Sequence, residues 1–355
     1  MDIDRYQRQT ILKDFGAKAQ QRLKDAHILV IGAGGLGIPV LSYLNAMGVG
    51  TLGIIEQDII EITNLQRQVL YTEAHLGRSK LEVALEQLKA QNSTTRFRVF
   101  DTFLSRDNAL EIISQFDLVI DGSDNFPTRY LVNDACVILK KPFVSGAIQG
   151  FEGQLSVFNY QGGPTYRCLF PTMPKGTEIP NCNENGVIGA IPGIIGSLQA
   201  LEAVKIITDV GQVLSGKLLL FNGLLQSYRT IRFKLCPENL LINKLQETYG
   251  PSHCGPSLTI SVGELLDKVR SGKEIQLIDV RSREEFATGP LPGIKSKNIP
   301  LDDLFETDMI NTSQPIYLLC QSGQRSGIGA RSLMEQYENL IIYSIKGGIN
   351  EFLAL

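Results

Sequence analysis

His27-Ile28-Leu29-Val30-Ile31-Gly32-Ala33-Gly34-Gly35-Leu36-Gly37 is the stretch on which the reading of the whole chain turns. Four consecutive apolar residues, 28–31, predict a strand buried on both faces. Gly32-x-Gly34-x-x-Gly37 follows at once, and the amphipathic run 38–47 then predicts a helix. Strand, glycine turn and helix together make a nucleotide cradle. Gly32 makes the tight turn, Gly34 and Gly35 let the backbone approach a phosphate, and the N-terminus of the helix that starts at Gly37 points free N–H groups at the anion. The next apolar strand, 51–55, ends in Glu56, about where a ribose-binding carboxylate belongs. Alone, this fingerprint says only that a nucleotide binds, and NAD is the default. The residues after Glu56 change that.

The chain has 355 residues, 43% of them apolar and 20% charged, which fits two globular domains. A formal net charge of -3 without any basic tract gives no reason to expect nucleic acid. Met1-Asp2-Ile3-Asp4 does not open like a secretory leader. The most apolar run, 187–210, contains Pro192, Gln199, Glu202 and Lys205, and reads as a buried helix rather than a membrane span. Six cysteines in so long a chain are no disulfide scaffold, so a reducing cytoplasm is expected and each cysteine must be asked about reactivity. Three histidines argue against histidine-based catalysis or metal binding.

Strand and helix patterns alternate as far as residue 147, which argues for a parallel sheet. Within this run, Asp117-Leu118-Val119-Ile120 is a buried strand leading into Asp121-Gly122-Ser123-Asp124-Asn125. Ligands bind at the carboxyl ends of such strands, so Asp124 is placed for chemistry. From Gly153 the pattern shifts. Residues 154–160 and 218–235 are β-rich without intervening helices, predicting an antiparallel extension, with a long loop 161–185 and a helix 191–208 between them. Residues 236–256 hold three prolines and two glycines and no clear period. A smaller α/β unit starts near Leu258, with buried strands at 276–280, 316–319 and 340–345 and a helix at 329–336. The division expected is 1–246, a linker 247–257, and 258–355.

Gly32-Ala33-Gly34-Gly35-Leu36-Gly37, Asn64-Leu65-Gln66-Arg67-Gln68, Lys80 and Asp124-Asn125, taken together, resemble the MoeB/ThiF family, the bacterial relatives of ubiquitin-activating enzymes. The match runs from Arg5 to about Arg232 and includes Arg129-Tyr130, Asn133-Asp134-Ala135-Cys136 and Tyr166-Arg167-Cys168. The resemblance implies a Rossmann-like, mostly parallel sheet with an antiparallel extension. It also implies an activity: the C-terminal Gly-Gly carboxylate of a ubiquitin-like protein attacks the α-phosphate of ATP and expels pyrophosphate. Two anions must approach each other, so cations are required. Arg67 and Lys80 would neutralise the phosphates and the leaving group. Asp124 would hold Mg²⁺. Glu56, one methylene longer than the usual aspartate, would accept from the ribose hydroxyls with Asp58 close by. Asn64 would contact phosphate or metal, and Asn125 belongs to the same nucleotide site. In this family an arginine of the N-terminal arm reaches the partner subunit's site, and Arg8 stands there, so a homodimer is implied. An NAD or FAD enzyme would also use an acid at Glu56, but would not need Arg67, Lys80 and Asp124.

The cysteines divide by surroundings. Cys182 lies in a polar loop where several family members carry a cysteine that attacks the acyl-adenylate or passes sulfur. Cys136 sits in an apolar helix and reads as core. The family usually holds a structural zinc on two Cys-x-x-Cys pairs. Here these read Thr165-Tyr166-Arg167-Cys168 and Cys236-Pro237-Glu238-Asn239, one cysteine short in each. Cys168 and Cys236, with His253 or Cys254, do not make four ligands at zinc spacing, so no zinc is expected. Cys320-x-x-Gly323-x-Arg325-Ser326, between a buried strand and a helix, resembles the active loop of rhodaneses. Asp279-Val280-Arg281, Leu291-Pro292-Gly293 and Lys346-Gly347-Gly348 support this over 258–355. Successive N–H groups in that loop would stabilise a thiolate and then a persulfide on Cys320, with Arg325 adding positive charge. Pro290 stands where relatives often have histidine.

The resulting expectation is a two-domain adenylyltransferase and sulfurtransferase. It would adenylate a ubiquitin-like sulfur carrier ending in Gly-Gly and convert it to a thiocarboxylate, with sulfur from a donor protein or thiosulfate, for molybdopterin, thiamine or a related biosynthesis. The alternative is an activating enzyme whose second domain only docks the carrier. An intact Cys320 and Arg325 speak against it.

Overall fold

The computed structural model describes residues 3–174, 186–249, 258–271, 275–289, 294–304, 310–311, 314–336 and 340–352. The chain divides into two compact units, Met1–Ser252 and His253–Leu355.

The first unit opens with helices α1 (Ile3–Thr10) and α2 (Gly16–Asp25). Strand β1 (His27–Ile31), helix α3 (Gly37–Ala46) and strand β2 (Thr51–Ile55) follow. Next come α4 (Lys80–Gln91), β3 (Arg96–Phe100), α5 (Ala109–Ser114), β4 (Leu118–Asp121) and α6 (Phe126–Ile138). The unit is completed by β5 (Phe143–Gln149), β6 (Glu152–Phe158), α7 (Tyr166–Leu169), α8 (Ala190–Thr208), β7 (Lys217–Asn222) and β8 (Ser227–Arg232). The eight strands form one sheet in the order β3-β2-β1-β4-β5-β6-β7-β8. Pairing is parallel from β3 to β5 and antiparallel from β5 to β8. This is the mostly parallel sheet with an antiparallel extension expected from the sequence.

Why β1 reads as an unbroken apolar run is now visible. Successive side chains of a strand point to opposite faces. Ile28 and Val30 enter one core with Leu52, Ile54, Leu118 and Ile120, whereas Leu29 and Ile31 enter the other with Ile55 and Val119. Each fully buried side chain of this size contributes about 1.5–3 kcal/mol relative to exposure. α8 closes the first core through Ala200, Ala203 and Val204. α6 closes the second through Tyr130, Leu131 and Ala135. α8 is long and apolar enough to cross a membrane by length and composition. Its polar side chains have partners within the unit, however: Gln199 Nε2 donates to the Asp121 carbonyl at 2.8 Å, and Glu202 Oε2 accepts from the Leu214 N–H at 3.0 Å. β1 is flanked by β2 on one side and β4 on the other, so the chain order reverses there and opens a crevice at the carboxyl ends.

The second unit contains β9 (Leu258–Ile260), α9 (Val262–Arg270), β10 (Gln276–Asp279), α10 (Arg283–Thr288) and β11 (Lys297–Asn298). It ends with β12 (Ile316–Leu319), α11 (Gln324–Gln336), β13 (Ile342–Ile345) and α12 (Gly348–Phe352). Its five strands are parallel, in the order β11-β10-β12-β13-β9. Ile316 and Leu318 pack into one core, Tyr317 and Leu319 into the other. Reciprocal Ser–Glu capping boxes start α9 (Ser261, Glu264) and α10 (Ser282, Glu285).

Three details differ from the sequence reading. The arm around Arg8 is a helix, because Tyr6 is buried and Gln9 donates to the Met47 carbonyl at 2.9 Å. α11 starts at Gln324, directly after the cysteine loop, rather than at Gly329. Tyr249, in the stretch read as linker, is buried, and its hydroxyl donates to Asp134 Oδ2 at 2.8 Å. The ordered chain of the first unit therefore continues past residue 246.

Candidate active sites, one in each unit

In the first unit the site lies at the carboxyl ends of β1, β2 and β4. Gly32 has φ +89° and ends β1, and a Cβ there would meet the Gly122 carbonyl. Gly37 opens α3 so close to the turn that a Cβ would collide with the Gly32 carbonyl oxygen. Only glycine permits that approach. Gly34 and Gly35 face Gln68 and the Arg67 stem, with Pro192 of α8 also over Gly35.

Glu56 follows β2 and is buried, with its carboxylate fully engaged by the backbone. Oε2 accepts from the Ala33 N–H at 2.8 Å, and Oε1 from the N–H groups of Gln57 (2.8 Å) and Asp58 (2.9 Å). It fixes the glycine turn against the end of β2. Asp58 Oδ2 accepts from Lys80 Nζ at 3.0 Å, and the Lys80 side chain is only 8% exposed at the first residue of α4. The ammonium is thus held on a carboxylate at the rim of the site. Arg67 Nη1 donates to the Thr63 carbonyl at 3.0 Å, coiling its guanidinium over its own loop. Asn64 Oδ1 accepts from the Glu61 N–H at 3.1 Å, so its carbonyl is spent on shaping the loop that carries Arg67.

Asp124 stands exposed on the turn after β4. Asn125 Oδ1 accepts from the Thr128 N–H at 2.9 Å and caps α6, while its Nδ2 lies 3.4 Å from Asp124 Oδ1. Beneath that turn is Asp121, fully buried, which the sequence reading passed over. It accepts from the Ser123 N–H (3.0 Å) and the Ser145 hydroxyl (3.0 Å). Burial, against the opposing pull of Arg129 and these donors, raises its carboxyl above the usual range. Tyr71 was also missed. Its hydroxyl lies 2.9 Å from the Ala33 carbonyl and 3.2 Å from that of Lys80, joining the glycine turn to α4. Burial first, then Glu56 and Asp58, push its phenol far above the usual value. Residue type gave no signal for either. Arg8 is exposed on α1. Cys182 lies outside the described residues. Cys136 is fully buried, and burial raises its thiol well above the ordinary range.

α6 also anchors α7. Asp134 Oδ1 and Oδ2 accept from Arg167 Nε (2.7 Å) and Nη2 (2.8 Å), and Asn133 Oδ1 accepts from the Tyr166 N–H at 2.8 Å.

The four positions of the family's zinc knuckles come together in the structure without a ligand set. Cys168 Sγ lies 3.4 Å from the Thr165 N–H nitrogen and 3.3 Å from its hydroxyl. It lies 3.3 Å from the Cys236 N–H nitrogen and 3.5 Å from Asn239 Nδ2. Hydrogen-bond partners surround the Cys168 sulfur, and among the described residues two sulfurs fall short of the four ligands of structural zinc. These residues do not fit zinc. His253 and Cys254 lie outside the described residues.

In the second unit Cys320 directly follows β12 and is buried, 1% exposed. The Gly323 N–H donates to its sulfur at 3.1 Å, and the Ser326 hydroxyl lies 3.5 Å away. Gly323 has φ +89°, and a Cβ there would press on Gly347 N at 3.1 Å. The loop is braced by the start of α12: Ile349 and Asn350 N–H groups donate to the Cys320 and Gln321 carbonyls at 3.0 Å. Arg325 lies within electrostatic reach of Cys320, and its fork is also taken by Glu285, Nη1 to Oε2 at 2.6 Å and Nη2 to Oε1 at 2.7 Å, so the charge it brings to the loop is already paired. The Arg325 bonds, with the Ser282 N–H, lower the Glu285 carboxyl to about 2. Arg281, which the sequence offers only as part of a supporting motif, forms a buried pair with Asp279 (2.9 Å) and reaches Gln321 Oε1 at 3.2 Å. Pro290 lies outside the described residues.

The ThiF family model matches residues 6–239, and the rhodanese-like domain model matches residues 261–355. Adenylyltransferase and sulfurtransferase MOCS3 of Aedes aegypti is 40% identical, with the alignment covering 95% of this chain and 83% of that protein. The protein of the same name from Culex quinquefasciatus is 41% identical over 94% of this chain and 82% of its own length. Among solved structures, Escherichia coli MccB with ATP superposes with a TM-score of 0.59 at 22% identity, over 66% of this chain and 72% of that one. MccB with MccA-N7isoASN gives 0.60 at 22% identity, over 67% and 73%.

Proposed function

We propose one function for the two units, proceeding from the fact that the chain belongs to the ThiF family and carries a rhodanese-like domain after it. The protein is an adenylyltransferase and sulfurtransferase. Its first unit adenylates the C-terminal Gly-Gly carboxylate of a ubiquitin-like sulfur-carrier protein. Its second carries sulfur as a persulfide on Cys320; the outer sulfur attacks the activated carboxyl and expels AMP, and a second thiol then cleaves the S–S bond of the resulting acyl disulfide, releasing the thiocarboxylate and leaving a disulfide between Cys320 and that thiol. The carrier then serves molybdopterin, thiamine or a related sulfur-requiring biosynthesis.

The observation that carries this reading is the gathering of the glycine turn, the Lys80–Asp58 pair and Asp124 at one crevice, in a chain that also holds the Cys320 loop. In the adenylation step the carrier carboxylate attacks the α-phosphate and pyrophosphate leaves. Lys80 and Arg67, now held on Asp58 and the Thr63 carbonyl, exchange those partners for phosphate oxygens and stabilise the charge that builds on the leaving group. Asp124 and the phosphates would hold Mg²⁺, which when bound neutralises phosphate charge. Glu56 positions the turn from below, and ribose hydroxyls would share its carboxylate with the N–H groups it already accepts from. The region of Cys168 and Cys236 works without zinc.

A second copy completes the site. An apolar face runs along α3 and α8, with Tyr43, Ile194, Leu198 and Leu201 on it and Val69 beside them, and Tyr43, Val69 and Leu201 are more than half exposed. Such a face supports a homodimer. Arg8 of the partner's α1 then adds a cation to the nucleotide site. The four cysteines among the described residues are free, which supports a cytoplasmic setting.

The test is ATP–pyrophosphate exchange with a carrier ending in Gly-Gly, read beside the carrier's intact mass. Exchange should depend on the carrier, and a sulfur donor should raise the carrier's mass as sulfur replaces oxygen. Cys320→Ala should keep exchange and lose the mass change. Exchange that ignores the carrier, or thiocarboxylate formed by Cys320→Ala at the normal rate without free sulfide, overturns the assignment.

A further inference from the structure

The four knuckle positions have a chemistry of their own. Four groups converge on Cys168 Sγ at 3.3–3.5 Å: the Thr165 N–H and hydroxyl, the Cys236 N–H and the Asn239 amide. No other described cysteine collects so many. Cys236 is different. It is exposed, and its thiol donates to Glu238 Oε2 at 3.0 Å. One sulfur is surrounded by donors and suited to negative charge. The other faces a carboxylate and is kept as a thiol. Both belong to loops that meet: Cys168 on α7, and Cys236 at the start of the 3₁₀ turn Pro237–Leu241. The Cys168 sulfur lies within 3.8 Å of both the nitrogen and the carbonyl oxygen of Cys236, so the Cys236 side chain starts beside it.

We propose that Cys168 and Cys236 form a reversible disulfide, with Cys168 as the attacking thiolate and Cys236 as the resolving thiol, and with a hydroperoxide as oxidant. This rests on the zinc-free reading of the same positions and on no other part of the proposed function. The Cys168 thiolate attacks a peroxide oxygen, the O–O bond breaks, and the departing alkoxide or hydroxide takes a proton. Cys168 is then a sulfenic acid. Rotation about the Cα–Cβ bond of Cys236 swings its sulfur from Glu238 towards Cys168. Its sulfur attacks the sulfenic sulfur, the S–S bond forms, and the hydroxide leaves as water with the Cys236 proton. Two thiols lose two electrons and two protons, and the hydroperoxide is reduced to alcohol or water. The charge pattern agrees with these roles. Burial opposes ionisation of Cys168, but the bonds from Thr165, Asn239 and Cys236 outweigh it and lower its thiol below the ordinary value. Glu238 raises that of Cys236. The bond would tie α7 to the 3₁₀ turn 68 residues later, across α8, β7 and β8.

The experiment treats the full chain with stoichiometric hydrogen peroxide at pH 7, blocks remaining thiols by alkylation, and maps peptides without reduction. Metal content is measured on the same sample. A linked pair containing Cys168 and Cys236, two hydrogens lighter than the separate peptides and restored by dithiothreitol, is expected. Cys236→Ser should accumulate Cys168 as a dimedone-reactive sulfenic acid, while Cys168→Ser should leave Cys236 reduced. Asn239→Ala should slow alkylation of Cys168 at pH 7 severalfold. Metal-free protein in which both cysteines stay unlinked, or pair instead with Cys182 or Cys254, overturns this inference alone. One equivalent of zinc, with both thiols protected until a chelator is added, overturns it together with the zinc-free reading.

Discussion

The two candidate sites are built in opposite ways. The nucleotide crevice takes its groups from the ends of three strands: the turn after β1, Glu56 and Asp58 after β2, and Asp124 after β4, with Lys80 from α4. Its cations are parked on protein acceptors, Lys80 on Asp58 and Arg67 on the Thr63 carbonyl. The cysteine loop is local. Cys320, Gly323 and Ser326 lie within seven residues, and the Gly323 N–H already sits on the sulfur at 3.1 Å. A dispersed site can change partners when substrate arrives. A local loop is preorganised and depends on its backbone shape.

The sharpest break of this comparison is at Lys80 and Asp124. Lys80→Ala or Asp124→Ala should lower carrier-dependent pyrophosphate exchange by about 10²–10³-fold or more, as loss of a charge aimed at the transition state does. Consumption of thiosulfate by the cysteine loop should be unchanged, measured as thiocyanate formed from cyanide. A parallel loss of both activities would mean that the two sites are one.

Next is the requirement for a second chain. Arg8→Ala and Arg67→Ala should each be inactive in exchange, yet mixing them should restore activity, because in a mixed dimer one site has its own Arg67 and receives an intact Arg8. No restoration, or full activity in a monomeric protein, removes Arg8 from the neighbour's site. Thiosulfate consumption should not respond to mixing.

At Gly323 the effect should be smaller and confined to the second unit. With φ +89°, and with Gly347 N only 3.1 Å from where an alanine Cβ would sit, Gly323→Ala must shift the loop that donates to Cys320. Thiosulfate consumption should fall by less than the roughly 10²–10³-fold that removing one oriented donor outright costs, because the donor is shifted and not removed, while exchange stays at the wild-type rate. Equal activity would show that the N–H contact is dispensable.

Least of all is expected from Glu285. Its carboxyl is lowered to about 2 by Arg325. A depressed carboxyl adds stability that is present above its unfolded value of 4.5 and is lost as pH falls through about 2. Because the pair is more than one-third exposed, the contribution should stay below about 1 kcal/mol after solvent screening. Glu285→Gln should therefore lower the melting temperature slightly at pH 7 and make no difference near pH 2. A larger loss at pH 2 than at pH 7 would contradict the pairing.

Legibility in the sequence divides along the same line. The glycine turn and the Cys320 loop are contiguous and demand particular residue types, so both could be read directly. The antiparallel extension was legible because helices stop alternating with strands after Gly153. Asp121, Tyr71 and Arg281 were not singled out. Their roles come from partners brought together by the fold: Ser145 lies 24 residues from Asp121, and Ala33 lies 38 from Tyr71. The α1 helix does not announce itself in the N-terminal arm, because its single buried anchor, Tyr6, leaves no apolar period to count. The sequence places Arg325 beside the cysteine, but nothing local announces that Glu285, 40 residues earlier, also takes its fork.

Tyr249 decides where the first unit can be cut. The last strand of its sheet ends at Arg232, and the family match stops at residue 239, yet the ring of Tyr249 fills the core beside Tyr166 and its hydroxyl reaches Asp134. A shortened chain that stops at either earlier point would leave an open socket on α6 and take one donor from a buried carboxylate. A protease acting on the intact protein meets the same obstacle, and a stable fragment should retain Tyr249 at its end. The practical border of the adenylating unit is thus set by a plug rather than by a strand.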